Sequence, residues 1–227
     1  MIEYIPRPQF KVLASLYFLD GGHYLFRYTE DDREASKFVT SVDVAAAFSM
    51  KEIDTGWLPA GIVRCGQNAG GPWFVYSTPA QKVKITLEKY AMSGANLPLI
   101  VPAPRLVLIG SGNSYRLAAM HGKHFEHDNL AYHVPFPNVY PDGRICWGTN
   151  TPPEARPENA RKVWELFFAS PFNADLAGKK SHAHLKDVRD QLLELDRKGA
   201  RSYPVNDLIS MNISIERMVE HAIGGDR

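Results

Sequence analysis

Two cysteines among 227 residues cannot build a disulfide framework. A reactive thiol in such a chain survives best in a reducing compartment, so the cytoplasm is the expected location. Charge of one sign is also missing. Lys and Arg number 26 against 25 Asp and Glu, a net +1, and no field of that size draws a protein to nucleic acid or to an anionic membrane. Long apolar runs are absent too: the stretch from Leu97 to Ile109 is broken by Pro98, Pro102, Pro104 and Arg105, well short of the ~20 apolar residues of a membrane helix. The opening Met1-Ile2-Glu3-Tyr4-Ile5-Pro6 carries no basic segment followed by an apolar one, so no secretory signal is expected. There is no internal repeat and no low-complexity tract. What is present is 44% hydrophobic content, ample for a buried core, in a length that suits one domain with an N-terminal elaboration.

Turn chemistry and periodicity place strands first and helices last. Lys11 to Tyr28 alternates apolar and polar around Asp20-Gly21-Gly22, a hairpin signal. Ser41 to Phe48 is alanine-rich and predicts a short helix with Ser41 as N-cap. Strands are expected at Ala60 to Cys65, Trp73 to Thr78, Val83 to Glu88, Arg105 to Ile109 and Tyr115 to Ala119, as an antiparallel meander. Helical periodicity then takes over at Glu158 to Ser170, Ser181 to Lys198 and Asp207 to Ala222, with stripes such as Leu185, Val188, Leu192 and Leu195 marking core faces. This order is α+β. Residues 1–55 are expected to form an elaboration packed on a core made of residues 56–227.

Between strands and helices lies the segment with chemical interest. Pro135, Pro137 and Pro141 exclude a regular element, and Asp142-Gly143 supplies a turn. Ile145 and Trp147 flank Cys146 with apolar bulk that can anchor the loop while the thiol faces the other way. A thiolate mounted like this is a candidate nucleophile. Asn138, eight residues upstream, offers an amide donor for a developing oxyanion. Cys65, in the β-like Ile62-Val63-Arg64-Cys65, has nothing nearby to activate it and is expected to be packing.

The run Pro137-Asn138-Val139-Tyr140-Pro141-Asp142-Gly143-Arg144-Ile145-Cys146 resembles the active-site signature of ubiquitin-conjugating enzymes, His-Pro-Asn followed by a loop and Gly-x-Ile-Cys. Trp164 to Phe172 and Tyr203-Pro204 resemble the bacterial branch, prokaryotic conjugating-enzyme family D, which includes PRTRC system protein B-like chains. The looser likeness spans roughly positions 100 to 210. The resemblance implies a ubiquitin-conjugating-like fold, an antiparallel meander with an active-site loop and C-terminal helices, to which the N-terminal β-hairpin is added. It also implies that Cys146 accepts a ubiquitin-like modifier as a thioester from a ThiF-like activating enzyme and passes it to a lysine of a target protein, with Asn138 stabilising the oxyanion or positioning the loop. Phe136, Pro137, Tyr140, Asp142 and Gly143 would then structure the loop. No cofactor is implied, since ATP belongs to the activating partner, and some operons of this kind act in antiphage defence. One departure is Phe136 at the family's histidine position, with His133 the nearest histidine. The family's proximal proton-handling residues map only loosely, to Asp142, Asn150 or Glu154.

Two other readings stay open at this point: a catalytically silent scaffold that binds the modifier, and a cysteine hydrolase with His133 as base. His121, His124 and His127 recur at three-residue spacing, which suits a polar loop better than a zinc site. Gly110-Ser111-Gly112-Asn113 lacks the lysine and helix of a phosphate loop and predicts a β-turn. Arg161, Lys162, Lys179, Lys180, Arg197, Lys198 and Arg201 are expected on a solvated surface.

Overall fold

The computed structural model describes residues 12–30, 33–49, 55–68, 70–90 and 94–224. The chain divides into two units, Met1–Gly56 and Trp57–Arg227. In the first, β1 (Ala14–Phe18), β2 (Tyr24–Glu30) and β3 (Arg33–Val39) form an antiparallel sheet in that order, followed by α1 (Ser41–Ser49). The β1–β2 hairpin turns at Asp20–Gly22, where Gly21 and Gly22 have positive φ, 72° and 78°, a conformation that glycine takes without steric penalty. Lys11 lies outside the described residues. β3 is polar enough, Arg33-Glu34-Ala35-Ser36-Lys37, that alternation alone does not reveal it. The cap of α1 is Thr40, not Ser41. The Asp43 amide donates to Thr40 Oγ1 at 3.1 Å, and the Thr40 amide donates to the Asp43 carboxylate at 3.1 Å, a reciprocal capping box.

In the second unit, β4 (Ile62–Asn68), β5 (Gly71–Thr78), β6 (Gln81–Leu87), β7 (Leu97–Ala103), β8 (Arg105–Ser111), β9 (Ser114–Met120) and β10 (Leu130–Tyr132) precede α2 (Ala160–Ala169), α3 (Val188–Arg197), β11 (Ser210–Ser214) and α4 (Ile215–Gly224). A six-stranded antiparallel sheet has the order β11-β10-β9-β8-β5-β4, while β6 and β7 pair as a hairpin of their own. The fold is α+β, with strands leading and helices trailing. Successive side chains of a strand point to opposite faces, and here both faces are covered. Phe74, Leu106, Leu108, Tyr115 and Leu117 join a core with the β6–β7 hairpin, α2 and α3, whereas Trp73, Val75, Val107, Ile109 and Met120 meet Ile215, Met218 and Val219 of α4. That is why Leu106-Val107-Leu108-Ile109 is a continuous apolar run.

The proline-broken stretch is a strand after all. Pro98 and Pro102 stand opposite Thr86 and Lys82 in the β6–β7 register, alternate positions on the outer edge of β7, where a missing N–H breaks no ladder bond. The intervening Ile100 amide donates to the Asp196 carboxylate at 2.8 Å. Two expected helices are shorter than predicted. α3 starts only at Val188, capped by Asp187, whose carboxylate accepts from the Arg189 amide at 2.9 Å. Ser181 instead bridges to Leu208. Residues 210–214 pair with β10: Met211 and Ile213 alternate with Ser210, Asn212 and Ser214, so period 2 competes with the helical spacing of Met211, Ile215 and Met218, and the free edge of β10 decides it.

After α2 the chain lies back on the β6 edge, the Phe172 amide donating to Thr86 O and the Glu88 amide to Phe172 O, both at 2.8 Å. Phe172 is fully buried between Phe136 and Phe167. Phe172→Ala is expected to lower unfolding free energy by about 3–5 kcal/mol, read as a fall in the urea midpoint.

Candidate active site

The loop that carries Cys146 enters through buried Val134, Pro135, Phe136 and Pro137. Phe136 is 0% exposed, edge-on to Phe168 at 5.3 Å and stacked on Phe172 at 5.9 Å between ring centroids. The chain then bends at Asn138, whose φ of 62° is left-handed, a conformation asparagine tolerates better than most residues. The Asn138 amide group donates to Pro171 O at 2.9 Å. From there a small hairpin forms. Val139 pairs with Ile145, the Cys146 amide donates to Asn138 O at 2.8 Å, the Tyr140 amide to Arg144 O at 2.8 Å, and the Gly143 amide to Tyr140 O at 2.9 Å. Asp142 closes the turn by accepting from the Arg144 amide at 3.0 Å and its Nε at 2.5 Å.

This hairpin is docked on β9. The Leu117 amide donates to Gly143 O at 2.8 Å and the Ile145 amide to Tyr115 O at 2.9 Å. Gly143, with φ of 84°, is the one residue type that fits the turn, because a Cβ there would press on Met218 Cε and the Leu117 carbonyl. Ile145 is buried while Cys146 is half-buried, the alternation that an extended backbone imposes. The thiol lines a cleft of about 390 Å³ with Asn138, Trp147, Asn150, Ser170 and Pro171. Trp147 packs edge-on against Tyr115 at 5.8 Å. The Asn150 amide group donates to Ser170 Oγ at 3.0 Å, which donates to Leu166 O at 2.7 Å.

Charge around the loop comes from a few groups. A hydrogen bond and charge interaction with Cys146 hold the Tyr140 phenol above its ordinary pKa, with burial adding to the effect, and the Arg144 guanidinium lies 5.6 Å from the Tyr140 ring centroid. His133 is lowered by burial and by the neighbouring Lys180. Lys180 is the surprise: expected in solvent, it is 3% exposed and donates from Nζ to Val139 O at 2.8 Å, and burial pushes its pKa down to about 8. Nothing in the Lys179-Lys180 dipeptide signals this, because the burial is created by the fold of residues 177–188 rather than by local pattern.

The sequence-derived residues sort as follows. Asn138, Cys146 and Asn150 share the cleft, Phe136 and Pro137 lie beneath it, and Tyr140, Asp142 and Gly143 form the hairpin turn. Glu154 is elsewhere, paired with Arg156 at 2.7 Å. Cys65 packs against the core from β4. His121 stacks on Tyr132 at 4.2 Å and His127 faces Glu216 at 3.8 Å; among the described residues no group of His, Cys, Asp and Glu is gathered to hold a metal.

The site is thus a half-buried cysteine on a docked hairpin with an asparagine at its base, and the family comparison sets the chain among conjugating-enzyme-like proteins. The chain belongs to prokaryotic E2 family D, whose model matches residues 35–211, from within β3 to within β11. The family pattern therefore begins well before the motif-bearing region of roughly 100 to 210. No curated protein and no solved structure matches the chain. Membership implies dealings with a modifier and an activating enzyme in general, and no helix among the described residues is long and apolar enough to cross a membrane.

Two outcomes are expected. Phe136→His puts imidazole nitrogens into an aromatic slot, and should cost about 1–3 kcal/mol of stability, measured by urea unfolding at pH 8. Because the Lys180 pKa is depressed, the unfolded chain binds more protons between pH 8 and the ordinary lysine range, so this group's contribution to stability rises with pH across that window. The difference in urea midpoint between the wild type and Lys180→Met should therefore shift in favour of the wild type on going from pH 7.5 to 9.5.

Proposed function

We propose that the protein is a ubiquitin-like conjugating enzyme that carries its modifier on Cys146. What supports this reading most is the half-buried thiol at the wall of an open cleft, held by its own amide to Asn138 O, in a chain of this family. The Cys146 thiolate attacks the carbonyl carbon of the modifier thioester on a ThiF-like activating enzyme; the new C–S bond forms as the activating enzyme's thiolate leaves. A target lysine amine then attacks the same carbon, the C–N bond forms, the amine gives up its proton, and the Cys146 thiolate departs. Neither step consumes ATP at this protein, since the thioester is already activated.

Asn138 serves chiefly to position the loop in this scheme, since its amide group is engaged with Pro171 O. Asn150, which lines the cleft, would contact the incoming amine, a task that suits Asp142, bound up with Arg144, and Glu154, paired elsewhere, less well. The hydrolase alternative wants an imidazole against the thiol. His133 instead neighbours Lys180, and the residues that line the cleft with Cys146 include no histidine.

With its activating enzyme, modifier and ATP, the wild type should form a thiol-sensitive adduct, and Cys146→Ser should give a thiol-resistant oxyester or none. Asn138→Ala, which releases the loop from Pro171 O, should slow discharge to free lysine by about 100-fold, the scale of a misplaced reacting group. An activating enzyme that charges itself but never passes the modifier to wild type, while the modifier still binds tightly, would identify a scaffold instead.

A further inference from the structure

Lys180 is a buried cation for which the acyl transfer has no use. The segment that holds it is pinned on both sides: the Val188 amide donates to Ala177 O at 2.9 Å, the Lys179 amide to Leu185 O at 2.7 Å with Lys179 at φ 59°, and the His182 amide to Asp207 O at 3.0 Å. Ser181 beside it is fully buried. The lysine is thus turned inward by its backbone, and among the described residues no carboxylate pairs with it. Burying an ammonium without a counter-ion is unfavourable, and an apolar side chain of similar length would avoid that penalty.

Its hydrogen bond to the Val139 carbonyl explains the choice. The Val139 carbonyl, on a residue 2% exposed, accepts from Nζ. The same peptide unit carries the Tyr140 N–H, which donates to Arg144 O across the hairpin. The preceding peptide supplies Asn138 O, which accepts from the Cys146 amide. Lys180 therefore grips the strand that faces Cys146 from the side opposite the hairpin partner, and fixes the plane of the peptide leading into Tyr140, the residue whose hydroxyl neighbours the thiol. Resting on the reading of Cys146 as the reactive group, we infer that Lys180 is a positioning residue for Cys146, its ammonium holding the Val139–Tyr140 peptide in the orientation that presents the thiol to the cleft.

A charged donor binds a carbonyl more strongly than a neutral amine does, so the grip slackens as Lys180 loses its proton. Among the described residues His133 also faces it, and burial and the Lys180 charge lower His133 from the ordinary histidine value, away from the lysine's midpoint. The midpoint near 8 belongs to Lys180.

The test is an NMR titration of Cys146→Ser from pH 6.5 to 10, following the Val139 carbonyl carbon and the Lys180 Cε. Both should move together with a midpoint near 8. In Lys180→Arg, with Cys146→Ser, the Val139 carbonyl should lose that transition, since arginine stays charged. A Lys180 Cε that titrates in the ordinary lysine range, or a Val139 carbonyl that does not follow it, overturns the inference. In the otherwise wild-type chain, Lys180→Met should change the iodoacetamide alkylation rate of Cys146 at pH 7.5 by at least threefold while that of Cys65 stays fixed; equal rates would also overturn it. Neither measurement needs a modifier, so a chain that fails to charge would defeat the proposed function and leave this result standing. Where charging occurs, Lys180→Met should lower its rate by about 100-fold, the scale of a misplaced reacting group, and Lys180→Arg should restore part of it.

Discussion

The two backbone bonds between the Cys146 hairpin and β9 are the constraint on which the site depends. Leu117 N–H to Gly143 O and Ile145 N–H to Tyr115 O extend the sheet past the point where β10 stops pairing. They place Val139 and Ile145 in the core and leave Cys146 on the opposite side of the strand. Because side chains alternate strictly along an extended backbone, a one-residue slip would bury the sulfur and expose Ile145. Gly143 protects that register: its positive φ and the tight approach of Met218 and the Leu117 carbonyl admit no other residue without strain.

Packing on the far side carries the load in a different way. Phe136, Phe167, Phe168 and Phe172 form an aromatic cluster that joins the incoming strand of the loop to α2 and to the segment after it. That segment supplies Pro171 O, the acceptor for Asn138, and Ser170, the acceptor for Asn150. Ser170 and Pro171, which line the cleft, thus belong to a stretch of chain, 168–172, that is anchored by rings on one side and by β6 alongside. A polar cleft gains its rigidity from an apolar cluster next to it, since buried rings interdigitate with little room to move.

Much of this was legible in the sequence because it is encoded locally. The strands from Trp73 and Tyr115 announce themselves by alternation and by the turns that bound them, and the reactive loop by three prolines, Asp142-Gly143 and a cysteine between Ile145 and Trp147. What was hidden depends on contacts between distant residues. The β7 strand was masked by Pro98 and Pro102, which are harmless only because they lie on an outer edge. The strand from Ser210 was masked by apolar spacing that serves a helix as well, until β10 offers an edge. Lys180 was invisible because charge predicts exposure, and only the closing of residues 177–188 against Asp207 and Leu208 turns it inward.

Phe136 makes a division of labour necessary. A ring in that position contributes area and shape but no directed bond, and the hydrophobic effect is non-directional: it brings the loop to the core without saying which way each peptide should face. Orientation has to come from hydrogen bonds, which weaken steeply when misaligned. Three of them converge on two successive residues, Asn138 and Val139: the side-chain amide to Pro171 O, the Cys146 amide to Asn138 O, and the Lys180 ammonium to Val139 O. Each comes from a different part of the chain, the segment after α2, the hairpin itself and the segment before α3, so the strand opposite the thiol is held from three directions. An apolar residue at 180 would relieve the burial of a charge yet leave the Val139 carbonyl buried without a partner, which carries a penalty of its own. The cation persists in the core because the carbonyl is already committed to point there by the pairing of Val139 with Ile145.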